Sequence, residues 1–205
     1  MTEPESGDYE LNLGAWQTAS AVNGPGRRFV LWLQGCPLGC PGCINPEYVP
    51  FERRAVVTVD RLAGLIQAVG GIEGVTYTGG EPTAQAAGLA LLSERLRPAG
   101  LSVICYTGYT LEGLEAQGDP WVARLLRLTD ILIDGPYVQA QAANLRWRGS
   151  RNQRVLLLTE RYQGLTAEVE EGEAQVEFSV GGDRFTATGT WPGGLLERLE
   201  ERLRE

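Results

Sequence analysis

Cys36, Cys40 and Cys43 place three thiols within eight residues of a 205-residue chain that has four cysteines and no histidine. A CxxxCxxC run supplies three thiolates, one fewer than a closed tetrahedral zinc site takes, and no imidazole exists to complete the set. Soft thiolates select iron-sulfur clusters or zinc, and a cubane held at three corners leaves one iron free for a small ligand. The spacing points to an open iron, with a structural or electron-transfer metal site as the plainer alternative. A disulfide framework fits worse, because such scaffolds are short, secreted and dense in cysteine.

Gly79-Gly80-Glu81-Pro82 forms a second constellation. Two residues without Cβ let backbone amides and carbonyls approach a small polar ligand, and Glu81 adds an acceptor for an amino group. Alone the motif reads equally as a tight turn. One βα unit after the cysteine loop, it describes a pocket holding an amino acid moiety against an open iron. Cys105 falls inside an apolar run and reads as a small buried hydrophobe rather than a fourth ligand or a redox thiol. Arg146, Arg148, Arg151 and Arg154, interleaved with Trp147 and Asn152, make the most basic stretch of the chain. They read either as a solvated turn with ordinary ion pairs or as a docking or cofactor-edge surface.

The formal net charge is -8, which argues against a nucleic-acid partner, since neutralising phosphates takes a basic surface. All 18 basic residues are arginine, so lysine Schiff bases and phosphate-loop lysines are excluded, and the missing histidine removes the commonest general base. A bound cofactor must carry the hard step. The acidic start, residues 1–9, has no charged-then-apolar signal pattern, and no long apolar run follows; a soluble, cytoplasmic protein without a membrane partner is expected.

These groups need elements to hold them. Residues 28–34 (RFVLWLQ), between Gly24-Pro25-Gly26 and Gly35, fit a buried strand delivering the cysteine loop. Leu62, Leu65, Ile66 and Val69 recur at helical spacing after Thr58, a candidate N-cap. Strands are expected at 74–78, 101–106, 129–134 and 154–158, and helices at 83–96, from Thr110, and at 121–128. Such alternation implies βα units and a parallel sheet, with ligands beyond the carboxyl ends of the strands. After about Leu165 the pattern alternates at Glu168-Val169-Glu170 and again at 176–180, turns at Gly181-Gly182-Asp183 and continues at 185–188, as an antiparallel hairpin would. Pro192 opens a last helix with Leu195, Leu196, Leu199 and Leu203 on one stripe, read as packing on its own domain. Only about the first ten residues read as disordered.

Several blocks carry a family resemblance: Asn23-Gly24-Pro25-Gly26-Arg27, the run from Gln34 to Cys43, Gly79-Gly80-Glu81-Pro82, Tyr106-Thr107-Gly108-Tyr109-Thr110-Leu111-Glu112, Leu132-Ile133-Asp134-Gly135 and Trp147-Arg148-Gly149-Ser150-Arg151-Asn152-Gln153. Over roughly residues 22–158 the chain resembles radical S-adenosylmethionine enzymes. More narrowly, it resembles the activating proteins of anaerobic ribonucleotide reductase, relatives of the pyruvate formate-lyase activase. The resemblance implies an α/β fold, a partial, open (β/α) barrel of the radical SAM type with a C-terminal β-hairpin and helix. It divides the chain into an acidic segment 1–20, a radical SAM core 21–160 and an extension 161–205.

The resemblance further implies that Cys36, Cys40 and Cys43 ligate a 4Fe-4S cluster whose fourth iron takes the amino and carboxylate groups of S-adenosylmethionine. Gly79, Gly80 and Glu81 would hold the methionine end. Backbone at Gly42, Cys43 and Ile44 would meet the adenine, where many relatives carry an aromatic residue, and Thr107 and Asp134 would line the cofactor pocket. One-electron cleavage of the sulfonium would yield a 5′-deoxyadenosyl radical that takes a hydrogen atom from a glycine Cα of the reductase, with a flavodoxin- or ferredoxin-type protein as electron donor. A different glycyl radical protein, a small-molecule substrate, or a non-catalytic iron-sulfur or zinc module remain the alternatives.

Overall fold

The computed structural model describes residues 9–181, 184–190, 201, 202 and 204. At its centre is a seven-stranded mixed sheet. Four strands run parallel: β2 (Arg28–Leu33), β4 (Gly74–Gly79), β5 (Ser102–Tyr106) and β6 (Ile131–Asp134). Antiparallel strands extend both sides, with β1 (Glu10–Ser20) beside β2, β3 (Ala55–Thr58) beside β1, and β9 (Arg154–Leu157) beside β6. The order is β3-β1-β2-β4-β5-β6-β9, and the edge strands β3 and β9 do not pair, so the sheet is open. Two hairpins form separate two-stranded sheets, β7 (Ala142–Leu145) with β8 (Arg148–Ser150) and β10 (Val176–Gly181) with β11 (Arg184–Gly189).

Parallel neighbours need a crossover, and helices supply it. They are α1 (Val59–Gln67), α2 (Ala86–Leu96), and α3 (Leu111–Gln117) with α4 (Pro120–Leu128). Their starts are fixed by side chains that satisfy first-turn amides: Thr58 accepts from Arg61 N, Thr110 from Gly113 N, and Asp119 from Trp121 N and Val122 N. The helices cover one sheet face, where Leu31, Leu33, Val75, Tyr77 and Val103 meet Ile66, Leu89, Leu92 and Leu125 in the larger core. On the other face Ile104, Ile131 and Ile133 pack against Trp147, Tyr162 and Val169.

Several expectations change. The strand at 154–158 forms as β9, but antiparallel to β6, because the connection from β6 is a β-hairpin and not a crossover helix. Glu168-Val169-Glu170 lies in a helix, α5 (Thr166–Glu171), where Leu165 and Val169 sit four residues apart against the second core. The helix expected at 83–96 divides into a 3₁₀ turn, Pro82–Gln85, and α2. The break frees the Gln85 side chain to bridge Asn12 N, Asn12 O and Gln34 O, joining β1 to the end of β2. Leu65 is exposed, so the α1 stripe is narrower than its spacing implied. Glu10–Ser20 and Ala55–Thr58 are strands that the sequence reading did not assign; in β1 only Leu11 and Leu13 alternate before Gly14 and two register shifts obscure the period. The final helix expected from Pro192 and the turn at Gly182-Asp183 lie outside the described residues.

Below the second core the sheet buries a guanidinium. Arg28, at the start of β2, makes five hydrogen bonds, to Thr76 Oγ1, Pro25 O, Ser102 Oγ, Ser102 O and Val75 O, at 2.7–3.3 Å. Burial pulls its pKa down, and nearby Tyr162, Glu73 and Asp130 offset part of the shift. With every donor engaged, the charge pins the amino ends of β2, β4 and β5 together. Arg28→Met should lower unfolding stability by about 3 kcal/mol, since it orphans buried acceptors as well as removing charge-assisted bonds. A urea midpoint that drops at unchanged m value is the expected reading.

Candidate functional site

The cysteine loop begins where β2 stops. Gly35 N donates to Tyr48 O at 2.8 Å and Cys36 N to Val49 O at 2.9 Å, so the return segment, which carries a 3₁₀ turn at Pro46–Tyr48, closes on the loop's entrance. Within the loop Cys43 N donates to Cys40 O at 3.1 Å. All three thiols are partly exposed. Burial raises the Cys43 pKa, a backbone hydrogen bond at Asn45 opposes that, and Cys36 and Cys40 raise it further. The three sulfurs therefore feel one another, and a cationic centre would relieve their repulsion.

The Gly79-Gly80-Glu81 segment lies directly against this entrance. Gly80 N donates to Leu33 O at 2.8 Å and Glu81 N to Gly35 O at 2.9 Å. A Cβ on Gly80 would stand 2.3 Å from Gly35 O, a backbone atom that cannot swing away. Gly79 adds φ +97°, which side chains with Cβ rarely adopt. Gly80 is required by contact with the entrance of the cysteine loop and Gly79 by contact with β2, where its Cβ would stand 2.6 Å from Leu33 N, both independent of any ligand.

Glu81 is 1% exposed, and its carboxylate accepts from Thr83 N, Thr83 Oγ1, Thr107 Oγ1 and Gly108 N at 2.6–2.9 Å. Burial pushes its pKa up, and these four bonds oppose that. Glu81 thus ties the loop after β4 to the loop after β5 and brings Thr107 to the site. Thr107 in turn accepts from Tyr109 N. Leu38 of the cysteine loop fills the space left by Gly108, where a Cβ would lie 2.2 Å from its Cδ1.

On the far side, Gly42 (φ +73°) leaves room for Tyr137 and Gln139, whose atoms lie 3.4 and 3.1 Å from where its Cβ would stand. Tyr137 also packs on Gly149, and the hairpin holds residues 135–138 through Val138 N to Ser150 Oγ, Asn152 Nδ2 to Pro136 O and Gln153 Nε2 to Gly135 O. The Trp-Arg-Gly-Ser block thereby seats Tyr137 on the cysteine loop. Sequence reading missed Tyr137, Gln139 and Leu38; the Gly135-Pro136 pair after β6 was the available signal for a loop returning over the site. Ile44 is exposed beside Cys43.

Asp134 is placed differently from the expectation. Fully buried at the end of β6, it accepts from Arg154 through both carboxylate oxygens and from Leu111 N, the first amide of α3. It anchors α3 and β9 beside the site. Of the arginine stretch, Arg148 donates to Val169 O, Arg146 pairs with Glu168, Arg154 pairs with Asp134 and Glu112, and Arg151 is exposed. Cys105 is buried among the larger core's side chains, and burial pushes its thiol well up. Among the described residues no three His, Cys, Asp or Glu side chains converge on one metal ion. The loop can offer three thiolates, spread along eight residues, to a larger object.

Arg154 also donates to both oxygens of Glu112, at 2.8 and 3.0 Å, and this bonding pulls the Glu112 carboxyl down from 4.5 to about 2. A depressed folded pKa gives stability that is present above pH 4.5 and is lost as pH falls toward 2. Metal-free protein should therefore lose stability across that window more steeply than Glu112→Gln, as measured by urea midpoints at stepped pH. Parallel profiles would contradict the assignment.

A family model for a 4Fe-4S single cluster domain matches residues 22–156, which include the cysteine loop and the Gly79–Glu81 segment and stop before β10. An anaerobic ribonucleoside-triphosphate reductase-activating protein of Pasteurella multocida is 31% identical over 174 residues, covering 73% of this chain and 99% of its own. A protein of the same description from Vibrio cholerae is 31% identical, covering 70% and 96%. A putative glycyl-radical enzyme activating enzyme of Haemophilus influenzae is 42% identical over 90 residues, 42% of this chain and 34% of that protein. The chain belongs to the 4Fe-4S single cluster domain family and to the family of anaerobic ribonucleoside-triphosphate reductase-activating proteins.

Proposed function

We propose that this protein is a radical S-adenosylmethionine enzyme that installs a glycyl radical on an anaerobic ribonucleotide reductase. The observation that carries the reading is a three-thiol loop without a fourth ligand among the described residues, backed at hydrogen-bond distance by Gly80 and Glu81. When bound, a 4Fe-4S cluster and S-adenosylmethionine supply one-electron cleavage of the sulfonium and a nucleoside radical able to remove a hydrogen atom. Cys36, Cys40 and Cys43 hold the cluster. The donor set fits it, since the thiols are soft, share one loop and have no imidazole or fourth cysteine to close the site.

Main-chain groups of Gly79 and Gly80 take the methionine end of the cofactor. Glu81 acts through the loops, because its carboxylate is occupied by four donors. Backbone at Gly42, Cys43 and Ile44 meets the adenine, with Thr107 lining the pocket and Asp134 shaping it through α3 and Arg154. No protein group has to deliver a proton. These residues orient the cofactor and exclude water.

In this reading residues 21–160 are the radical SAM core, an open partial barrel to whose sheet β1 adds a strand from the preceding segment, and residues 161–205 are an extension. The net charge of -8 supports the absence of a nucleic-acid partner. No helix among the described residues is long and apolar enough to cross a membrane. Our reading takes the protein to act in the cytoplasm, with a flavodoxin- or ferredoxin-type protein as its electron donor.

Anaerobically reconstituted, reduced protein should produce 5′-deoxyadenosine and give a glycyl radical signal in added reductase by electron paramagnetic resonance. Iron content and deoxyadenosine should be lost in Cys36→Ala, Cys40→Ala and Cys43→Ala and kept in Cys105→Ala. Iron loss in Cys105→Ala would overturn the open-site reading, while deoxyadenosine without a glycyl radical would move the substrate to another radical enzyme or a small molecule. Gly80→Ala should fold yet lose about 10–100-fold in cluster retention or turnover, because its methyl pushes Gly35 away from the thiols.

A further inference from the structure

A second polar cluster lies at the other end of the sheet. Leu101 precedes β5, Asp130 precedes β6 and Thr159 follows the antiparallel β9, so all three stand at the end opposite the cysteine loop, which leaves the carboxyl end of β2. With Arg97, Gly100 and Arg161 they line a cavity of about 260 Å³. Thr159 and Arg161 fall beyond the residues that the 4Fe-4S family model matches, so the cavity is built jointly by the core and by the chain that follows it.

Its two arginines are braced by the protein. Asp130 is fully buried and engages both carboxylate oxygens: Oδ1 accepts from Thr159 Oγ1 at 2.8 Å, and Oδ2 accepts from Val103 N at 2.9 Å and Arg97 Nη1 at 2.8 Å. Arg161 donates to Gly100 O and Glu73 Oε1, both at 2.8 Å, and lies over the Tyr162 ring. These bonds use one N–H of Arg97 and two of Arg161, out of five on each guanidinium. The two side chains stay 34% and 35% exposed, so braced donors remain at the cavity wall.

The charge balance of these walls selects an anion. Arg28 and Arg161 each feel the charges of Glu73 and Asp130, and Arg97 pairs with Asp130. Three guanidiniums thus stand against two carboxylates, and the linked set carries one positive charge in excess. Such an excess, partly withdrawn from water, is stabilised by a counter-charge. Exposed charges more than about 8 Å away are screened in physiological salt, so the cavity answers to its own walls rather than to the net charge of -8. Guanidiniums bond phosphoryl oxygens in parallel pairs, and space for about eight waters admits a phosphoryl group with a few further atoms. Gly100 adds no obstruction, since a Cβ built there meets nothing within 4 Å. We propose that the cavity walled by Arg97 and Arg161 binds a phosphate dianion, free or as the terminal phosphoryl group of a small ester, at a site separate from the cysteine loop. The inference stands independently of the functional reading above.

Isothermal titration of the reconstituted full chain with inorganic phosphate, at constant ionic strength and with chloride as the blank, should show one saturable site. Arg97→Gln should weaken it at least tenfold. Because Arg97 also braces Asp130, two further variants leave every bond of the cluster in place: Gly100→Asp adds a carboxylate that competes for the guanidiniums, and Gly100→Asn adds the same bulk without charge. Both side chains tolerate the left-handed backbone at this position, φ +77°. Affinity should fall about tenfold in Gly100→Asp and stay within about twofold in Gly100→Asn, and metal-free protein should bind phosphate as the reconstituted protein does. Glycerol phosphate and a nucleoside triphosphate, titrated in turn, separate the sources: tighter binding than inorganic phosphate marks an ester as the ligand, and weaker binding marks the free ion. No saturable uptake by wild type, equal affinity in the two Gly100 variants, or loss of binding in metal-free protein would each overturn the proposal.

Discussion

Two main-chain hydrogen bonds, Gly80 N to Leu33 O and Glu81 N to Gly35 O, weld the ends of β2 and β4 just where the cysteine loop departs. They are possible because Gly80 carries no side chain; a single methyl there would overlap the Gly35 carbonyl oxygen. The pairing of parallel strands continues past the sheet and fixes the first cysteine relative to the second loop. Glu81 passes the constraint on, since its carboxylate gathers the loop after β5 through Thr107 and Gly108. Three strand ends thus share one hydrogen-bonded knot, and Leu38 and Tyr137 pack the cysteine loop against its neighbours.

Charge is arranged around this knot in a chain whose cations are all arginine. Arg28 sits at the amino ends of the strands among neutral acceptors, whereas Arg154 sits near the carboxyl ends between Asp134 and Glu112. A planar guanidinium with five donors suits both tasks, bridging several carbonyls or clasping two carboxylates. The pair of buried Asp134 with Arg154 organises the start of α3 and the edge strand β9 beside the loops at the strand ends.

Much of this could be read from the sequence. The cysteine spacing, the paired glycines and the alternation of strands and helices identified the loops at the ends of β2, β4 and β5 in the right order, because local chemistry and periodicity determine them. β1 was hidden, since its pairing is set by tertiary contacts such as Gln85 to Asn12 and its alternation lasts for only Leu11 and Leu13. The direction of β9 was equally hidden, because a strand's own residues do not encode its neighbour's orientation. Asp134 was legible as a polar residue at a strand end but not as a partner of Arg154, twenty residues on. Glu81 was recognised as important, yet its role as a brace needed the positions of Thr83, Thr107 and Gly108.

The extension beyond the family match reaches back to the sheet. Glu177 of β10 accepts from Gln17 Nε2, Ser20 Oγ and Ala21 N, and Asn23 donates to Thr188 of β11. The hairpin therefore covers the connection between β1 and β2, away from the cysteine loop. The central claim is that three protein thiolates hold a cluster with one corner left for a cofactor. Pulsed electron-nuclear double resonance on the reduced, anaerobically loaded protein tests it most directly, with S-adenosylmethionine labelled at its amino nitrogen or carboxylate carbon. Resolved coupling of the label to the cluster is predicted; a cluster signal with no coupling, unchanged by the cofactor, would contradict the account.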